Sequence, residues 1–289
     1  ERAYQNALAY ARDRVQGNPP GYTEPGPILH HPDVRRMLML MRSCNEAMRA
    51  LAYRAAFVSD VARTSRDQET RERAVVRLSV LTPIIKAWCS ELGQEMVSLG
   101  LQVHGGLGYI EETGAAQLLR DARITTIYEG TTGIQARDLI GRKLINDGGR
   151  GIRALLDEIQ ALDRSLEGAG EPLSWIRSAL TQGLVSAREA VNYILTMHQE
   201  DEALPGAVSV NFLMLMGTLL GGWQLAVFGL TALRRLDGVT GEDQLYLEAR
   251  LGRTRFYAEH LMPRIMGYHA SIMAGSASVT VLSDAQLSL

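Results

Sequence analysis

Apolar residues three and four positions apart recur along almost the whole chain, and period-two alternation is essentially absent. Val34, Leu38, Met41, Met48, Leu51, Ala55, Val58 and Ala62 form one such series with arginines between them, which predicts one long amphipathic helix. Val75, Leu78, Leu81, Ile85, Trp88, Leu92 and Met96 predict a second, from about Gln68 to Leu99. Pro83 lies inside it and, lacking an N–H, predicts a kink or a break. Glu1–Gln16 is helical in pattern, and a breaker stretch runs from Gly17 to Pro27. A short helix is expected over Ala115–Ala122, an extended β-branched turn over Ile124–Thr132 and a helix over Ile134–Ile145. The glycine cluster Asp147–Gly151 is the best domain boundary. Beyond it, helices are expected near Ile152–Glu167, Ser174–Gln199, Val208–Leu236 and Asp243–Ala274, followed by a polar tail. The fold class is therefore all-α: one helical domain over residues 1–147 and a second over residues 148–289.

Ala203–Leu233 carries no charge and is long enough to span a bilayer, which needs about 20 residues. It also holds Gly217-x-x-x-Gly221, a spacing that lets helices approach closely in membranes. Asn211, Gln224 and its other glycines argue against a span, and the segment has no second span to pack on. A helix apolar on every side also suits the centre of a bundle. The expectation is a buried core helix and no membrane span.

With 289 residues the chain can bury a large core without staples, and 46% hydrophobic against 21% charged residues excludes wholesale disorder. The net charge of −2 excludes a dedicated nucleic-acid binder. Charge is uneven: Glu1–Arg150 holds 20 basic and 17 acidic residues, and Gly151–Leu289 holds 10 and 15. Lys86 and Lys143 are the only lysines, which reads as base composition more than function. Cys44 and Cys89 offer no disulfide framework and fit a reducing, cytoplasmic setting. There is no initiator methionine and the helical pattern begins at once, so the chain is expected to be part of something longer.

Several familiar constellations are missing, among them a nucleophile elbow, a zinc helix and a phosphate loop. Gly106-x-Gly108 has Glu111 where a dinucleotide fingerprint needs its third glycine. His30-His31 reads as a solvated pair rather than a metal site, Glu111-Glu112 as acids of a helix start, and Met37, Met39 and Met41 as core.

Two stretches are less bland. Gln102-Val103-His104-Gly105-Gly106-Leu107-Gly108-Tyr109 places three glycines in four positions. That composition suits backbone approached closely by a ligand, pyrophosphate above all, and equally a wide turn between helices. Arg120–Gln135 contains one carboxylate, Glu129, in an apolar and β-branched loop, followed by Gly130, Thr131 and Thr132. Poor solvation would make such a carboxylate a stronger base. Gly130 leaves room for a substrate, and the threonines can cap the next helix, whose start favours anions. Glu129 also reads as an ordinary first-turn acid.

In this order and separation, Gln102–Tyr109, Arg120–Arg123 and Ile127–Gln135 resemble the C-terminal half of the acyl-CoA dehydrogenase family. Its pattern is Gln-x-x-Gly-Gly-x-Gly-Tyr/Phe, then Arg-Asp-Ala-Arg/Lys, then Ile-Tyr-Glu-Gly-Thr-x-x-Ile-Gln. The likeness covers Glu1 to about Leu144. The remainder is similar, in architecture and length, to the extra helical domain of an extended bacterial branch that includes enzymes acting on 3-methylmercaptopropionyl-CoA.

The resemblance implies a helical bundle followed by a second helical bundle, and an FAD enzyme oxidising an acyl-CoA thioester to the trans-2-enoyl-CoA. Glu129 matches the base that removes the α-proton, its N–H helping to polarise the thioester carbonyl, and Gly130 a substrate contact. Gln102, Gly105 and Gly106 match contacts to the adenosine half of FAD across a subunit interface. Thr131 and Gly133 match flavin contacts, and Arg14 the arginine of an Arg-x-x-Phe-Gly stretch. Here that stretch lacks its aromatic and is one residue short, Gly133 stands where Glu or Gln is common, and Pro32 where a flavin-contacting Gln is common. The implied partners are acyl-CoA, an electron-transfer flavoprotein and further copies in a homodimer or homotetramer. The family's N-terminal helical domain and middle β-barrel have no counterpart, so this chain alone is expected to be inactive and to hold no stoichiometric flavin. An acyl-CoA oxidase using O2 and a non-catalytic helical scaffold are the alternatives.

Overall fold

The computed structural model describes residues 1–289 and consists of helices and turns. In chain order the α-helices are α1 (Arg2–Asp13), α2 (Pro32–Thr64), α3 (Gln68–Val103), α4 (Gly106–Tyr109), α5 (Ala115–Arg123), α6 (Thr132–Ile140) and α7 (Arg150–Ala161). Then follow α8 (Asp163–Ala169), α9 (Ser174–Met197), α10 (Leu204–Arg235), α11 (Gly241–His260), α12 (Arg264–Met273) and α13 (Asp284–Leu287). Val15 and Pro27 form the one β-bridge, closing the loop between α1 and α2.

The long helices form the frame. Asp67 caps α3 by accepting the Thr70 N–H at 2.8 Å. α3 then runs unbroken for 36 residues, straight through Pro83. A proline inside a helix costs about 3 kcal/mol. Here its ring is buried in the core, and packing of α3 between α2 and α10 offsets the lost hydrogen bond.

Ile124–Thr132 is not extended. Ile124–Thr126 makes a 3₁₀ turn, because the Thr125 and Thr126 hydroxyls donate back to the Ala122 and Arg123 carbonyls at 2.7 and 3.2 Å. Two expected helices divide, one at Leu162 between α7 and α8, the other around Pro263 between α11 and α12. α6 ends in a π-helical turn over Gly141–Ile145. The expected polar tail holds α13, closed by a capping box of Ser283 and Gln286.

α10 is the central post. It packs against α2, α3, α6, α9, α11 and α12, and 83% of its most apolar window is buried. Gly217 and Gly221 form a groove for the indole of Trp88 on α3. A Cβ at Gly217 would lie 2.2 Å from Trp88 Cγ, and one at Gly221 2.8 Å from its Cη2. The close-packing spacing thus serves a tryptophan inside the molecule. The Tyr257 hydroxyl donates to the Thr218 carbonyl at 3.0 Å, so the buried phenol keeps a partner.

One contiguous set of buried apolar residues draws on α1 to α3, α6, α7 and α9 to α12. Ion pairs reinforce it. Glu46 meets Arg253 at 3.0 Å, Glu95 takes both prongs of Arg264 at 2.6 and 2.7 Å, and Glu158 accepts a hydrogen bond from Arg54 and forms an ion pair with Arg77. Glu46 and Arg253 are nearly buried, and Glu46 also meets Arg42 at 3.1 Å, so it is loss of Glu46 that would strand a charge, on Arg253, at a cost of about 3–5 kcal/mol. Burial pushes both thiols, Cys44 and Cys89, up to about 12, leaving them protonated and inert at neutral pH.

Gly217→Ala should lower unfolding stability by about 1–3 kcal/mol through overpacking on Trp88. Gly252→Ala, in the open middle of α11, should raise it by about 0.5–1 kcal/mol. Urea titrations of both variants check this, and equal effects would refute the packing account.

Candidate active site

The candidate residues fall into two groups joined by α3. The first lies where α3 ends. Gln102 is exposed on the last turn, and its carbonyl accepts the Gly105 N–H at 3.0 Å. Gly105 has φ +58° and ψ −140°, a conformation open almost only to glycine. A Cβ at Gly105 or Gly106 would meet nothing within 4 Å, so both present bare backbone to the surroundings. Gly108 differs: a Cβ there would sit 2.3 Å from the Leu101 carbonyl oxygen. Its smallness serves the packing of α4 on α3, and of the three glycines only two are free for a ligand.

His104, which sequence reasoning left without a role, is buried. Its Nδ1 lies 2.7 Å from the Gly100 carbonyl, and its ring stacks on Tyr10 at 4.7 Å. Tyr10 is one helical turn before Arg14, so α1 delivers Arg14 to this same end of α3. Arg14 is exposed and reaches Gln16 at 3.3 Å, while its carbonyl accepts the Ile28 N–H at 2.8 Å.

The second group is the loop from Tyr128 to Gly133. Glu129 is the one non-glycine residue with positive φ, at +53°. That backbone costs roughly 1–2 kcal/mol for an L-residue and persists only where neighbours enforce it. The Gln135 amide donates to the Glu129 carbonyl at 3.2 Å, and Lys86 Nζ on α3 donates to the Gly130 carbonyl at 2.5 Å. The Thr132 hydroxyl donates to Glu91, also on α3. Gly130 itself has φ +94°, and a Cβ there would lie 2.5 Å from Gln135 Nε2. Thr131 caps α6 by accepting the Ile134 N–H at 3.3 Å, and Gly133 follows in its first turn. The Glu129 and Gly130 N–H groups donate to no acceptor in the chain.

Sequence reasoning passed over Lys86 and Glu91. The only available signal was the rarity of lysine, and it was read as composition.

Glu129 is exposed, contrary to the poor solvation expected from its apolar neighbours. α6 reaches the core with Ala136, Leu139 and Ile140, which leaves Ile127, Tyr128 and Ile134 about half exposed around the carboxylate. They form a collar on the surface; Leu107, Tyr109 and Ile110, beyond the far end of α3, are exposed as well. Arg120 and Arg123 are structural: Arg120 grips Glu111 with two bonds of 2.7 and 2.9 Å, and Arg123 donates to Thr126. The Arg120 hydrogen bonds and charge hold the Glu111 carboxyl below its usual range, and Glu111 and Glu112 are, as expected, acids of a helix start, the 3₁₀ turn Glu111–Thr113.

Lys86 and Gln102 are sixteen residues apart on one helix, so the two groups lie ~24 Å apart along α3. Gly105 and Gly106 leave backbone bare beside the exposed side-chain donors of Gln102 and Arg14, although the Gly105 N–H is taken by the Gln102 carbonyl. Thr131 and Gly133 lie at the other end beside the carboxylate.

Gly130→Ala should cost about 1–3 kcal/mol, from its positive φ and the Gln135 contact. Gly106→Ala should cost much less, since nothing lies within 4 Å. Thermal melts of both variants test the difference.

Residues 1–145 match the family model for the acyl-CoA dehydrogenase C-terminal domain, and residues 153–283 that for an acetyl-CoA dehydrogenase C-terminal-like domain. Over 274 residues the chain is 41% identical to the 3-methylmercaptopropionyl-CoA dehydrogenase of Ruegeria pomeroyi, covering 94% of this chain and 46% of that protein. It is 33% identical over 276 residues to the broad-specificity linear acyl-CoA dehydrogenase FadE5 of Mycobacterium tuberculosis, covering 90% and 44%. The fold matches that of an acyl-CoA dehydrogenase from Bacillus anthracis solved with FAD, with TM-score 0.72, 19% identity and coverage of 94% and 46%. The chain thus spans about half the length of the curated relatives it matches, and it belongs to the acyl-CoA dehydrogenase family.

Proposed function

We propose that this chain carries the catalytic base and part of the FAD site of an acyl-CoA dehydrogenase that forms trans-2-enoyl-CoA. The observation that carries the reading is Glu129, held in a left-handed backbone at a clamped loop with its own N–H unengaged. A strained residue fixed from several sides is what a site needing one carboxylate direction would keep.

Glu129 takes the α-proton of the acyl-CoA, whose acidity rises as its thioester carbonyl is polarised. The free N–H of Glu129 supplies one donor to that oxygen, an oxyanion-hole contribution. Gly130 contacts the substrate through its unengaged N–H, since the Gln135 amide fills the space where its Cβ would stand. FAD, when bound, accepts the β-hydrogen as hydride. Thr131 keeps a hydroxyl proton to donate after its cap is made, and it lies with Gly133 on the flavin side. Gln102, Gly105, Gly106 and Arg14 hold the adenosine and pyrophosphate portion. The ~24 Å along α3 between the two groups supports their serving two different FAD molecules of a homodimer or homotetramer. The apolar collar around Glu129 is the surface that the rest of the enzyme covers, excluding water from the proton transfer. An electron-transfer flavoprotein would be the electron acceptor.

In the full-length enzyme, Glu129→Gln should keep flavin and acyl-CoA binding. It should slow anaerobic flavin bleaching by acyl-CoA by at least ~10²–10⁴-fold in stopped flow, as for loss of a general base. Bleaching at a near-native rate would place the base elsewhere. The 289-residue chain alone should purify colourless, and a flavin band near one per chain would overturn the partial-site reading.

A further inference from the structure

Beyond the base itself, the loop raises the question of what keeps Glu129 aimed. Relaxing its backbone to negative φ would relieve strain and swing the carboxylate away, so something must oppose that movement. Two side chains from α3 close on the segment that follows. Lys86 donates to the Gly130 carbonyl and Glu91 accepts from the Thr132 hydroxyl, gripping the chain on either side of the Thr131 cap. Gln135 holds the Glu129 carbonyl from α6.

Lys86 is half-buried and pairs with no carboxylate, so its cation is spent on one backbone oxygen. The chain has 30 basic residues and only two lysines, so a lysine here has a chemical meaning. A compact ammonium can serve a single carbonyl, whereas a guanidinium presents a flat fork suited to two acceptors. One turn on either side of Lys86, Pro83 and Ser90 are fixed as well: Pro83 is buried, and the Ser90 hydroxyl donates to the Lys86 carbonyl at 2.8 Å. The lysine stem therefore starts from rigid backbone.

We propose that Lys86 is the positioning residue of the Glu129 loop, setting the direction of the carboxylate by fixing the Gly130 peptide, with Glu91 as the second anchor. This rests on the assignment of Glu129 as base. Lys86 reaches the Gly130 carbonyl rather than the carboxylate, and acts through the loop.

The test uses the full-length holoenzyme with Lys86→Met, Lys86→Gln and Glu129→Gln side by side. Lys86→Met should slow flavin bleaching by acyl-CoA by ~10–100-fold, as for a misplacement on the scale of an ångström. The acyl-CoA dissociation constant and flavin content should stay near native, and amide exchange at Ile134 and Gln135, whose N–H groups bond to Thr131, should quicken. Lys86→Gln, which keeps a donor on a shorter arm, should recover part of the rate and keeps the test open if the methionine variant misfolds. Native bleaching in both Lys86 variants with Glu129→Gln inactive would overturn the positioning role and leave the base intact. If Glu129→Gln bleaches normally, the base reading fails; loop exchange then still judges the clamp, and unchanged exchange overturns it.

Discussion

The fit of the Trp88 indole into the Gly217–Gly221 groove is the contact on which the rest of the molecule depends. Trp88 sits on α3 between Lys86 and Glu91, the two residues that hold the Glu129 loop. The groove belongs to α10, which also packs on α6, the helix that loop leads into. One aromatic side chain thus ties the helix that grips the loop to the helix that receives it. Packing of this density transmits displacement rather than absorbing it. The helices beyond Gly151 are therefore part of the framework of the site, and the ion pairs Glu46–Arg253 and Glu95–Arg264 act in the same direction.

The loop illustrates how a stable bundle supports a residue that would not hold its conformation alone. Glu129 is strained, exposed and flanked by glycine, yet three side chains fix its neighbours, and each is anchored on a helix. The exposed isoleucines and tyrosine beside it are the opposite case: apolar groups that this chain does not cover by itself. Rigid support from behind and an uncovered apolar front thus meet at one loop.

The all-α class and the long helices were legible because an amphipathic helix writes its period into the chain, as from Val34 to Ala62. The family motifs were legible because glycines and a lone carboxylate are short, local and chemically distinctive. Less could be read where long-range packing overrides local propensity. Pro83 predicted a break, and the core on both sides of α3 holds the helix through it. The threonines at 125 and 126 predicted extension, and their hydroxyls turned back onto carbonyls instead. Gly108 resembled its neighbours in the motif, yet its role is to clear Leu101.

By itself, then, the amino-acid sequence determined the helical class and the family and singled out one carboxylate as candidate, since each depends on residue type and spacing along one segment. Only the tertiary structure decided that Lys86 and Glu91 hold that carboxylate's loop, that α10 is a core post, and that Gln102, Gly105 and Gly106 stand at the far end of α3. Those relations join residues tens to more than a hundred positions apart. Their partners are chosen by packing and by which polar groups burial leaves to be satisfied, and neither is written in any local pattern.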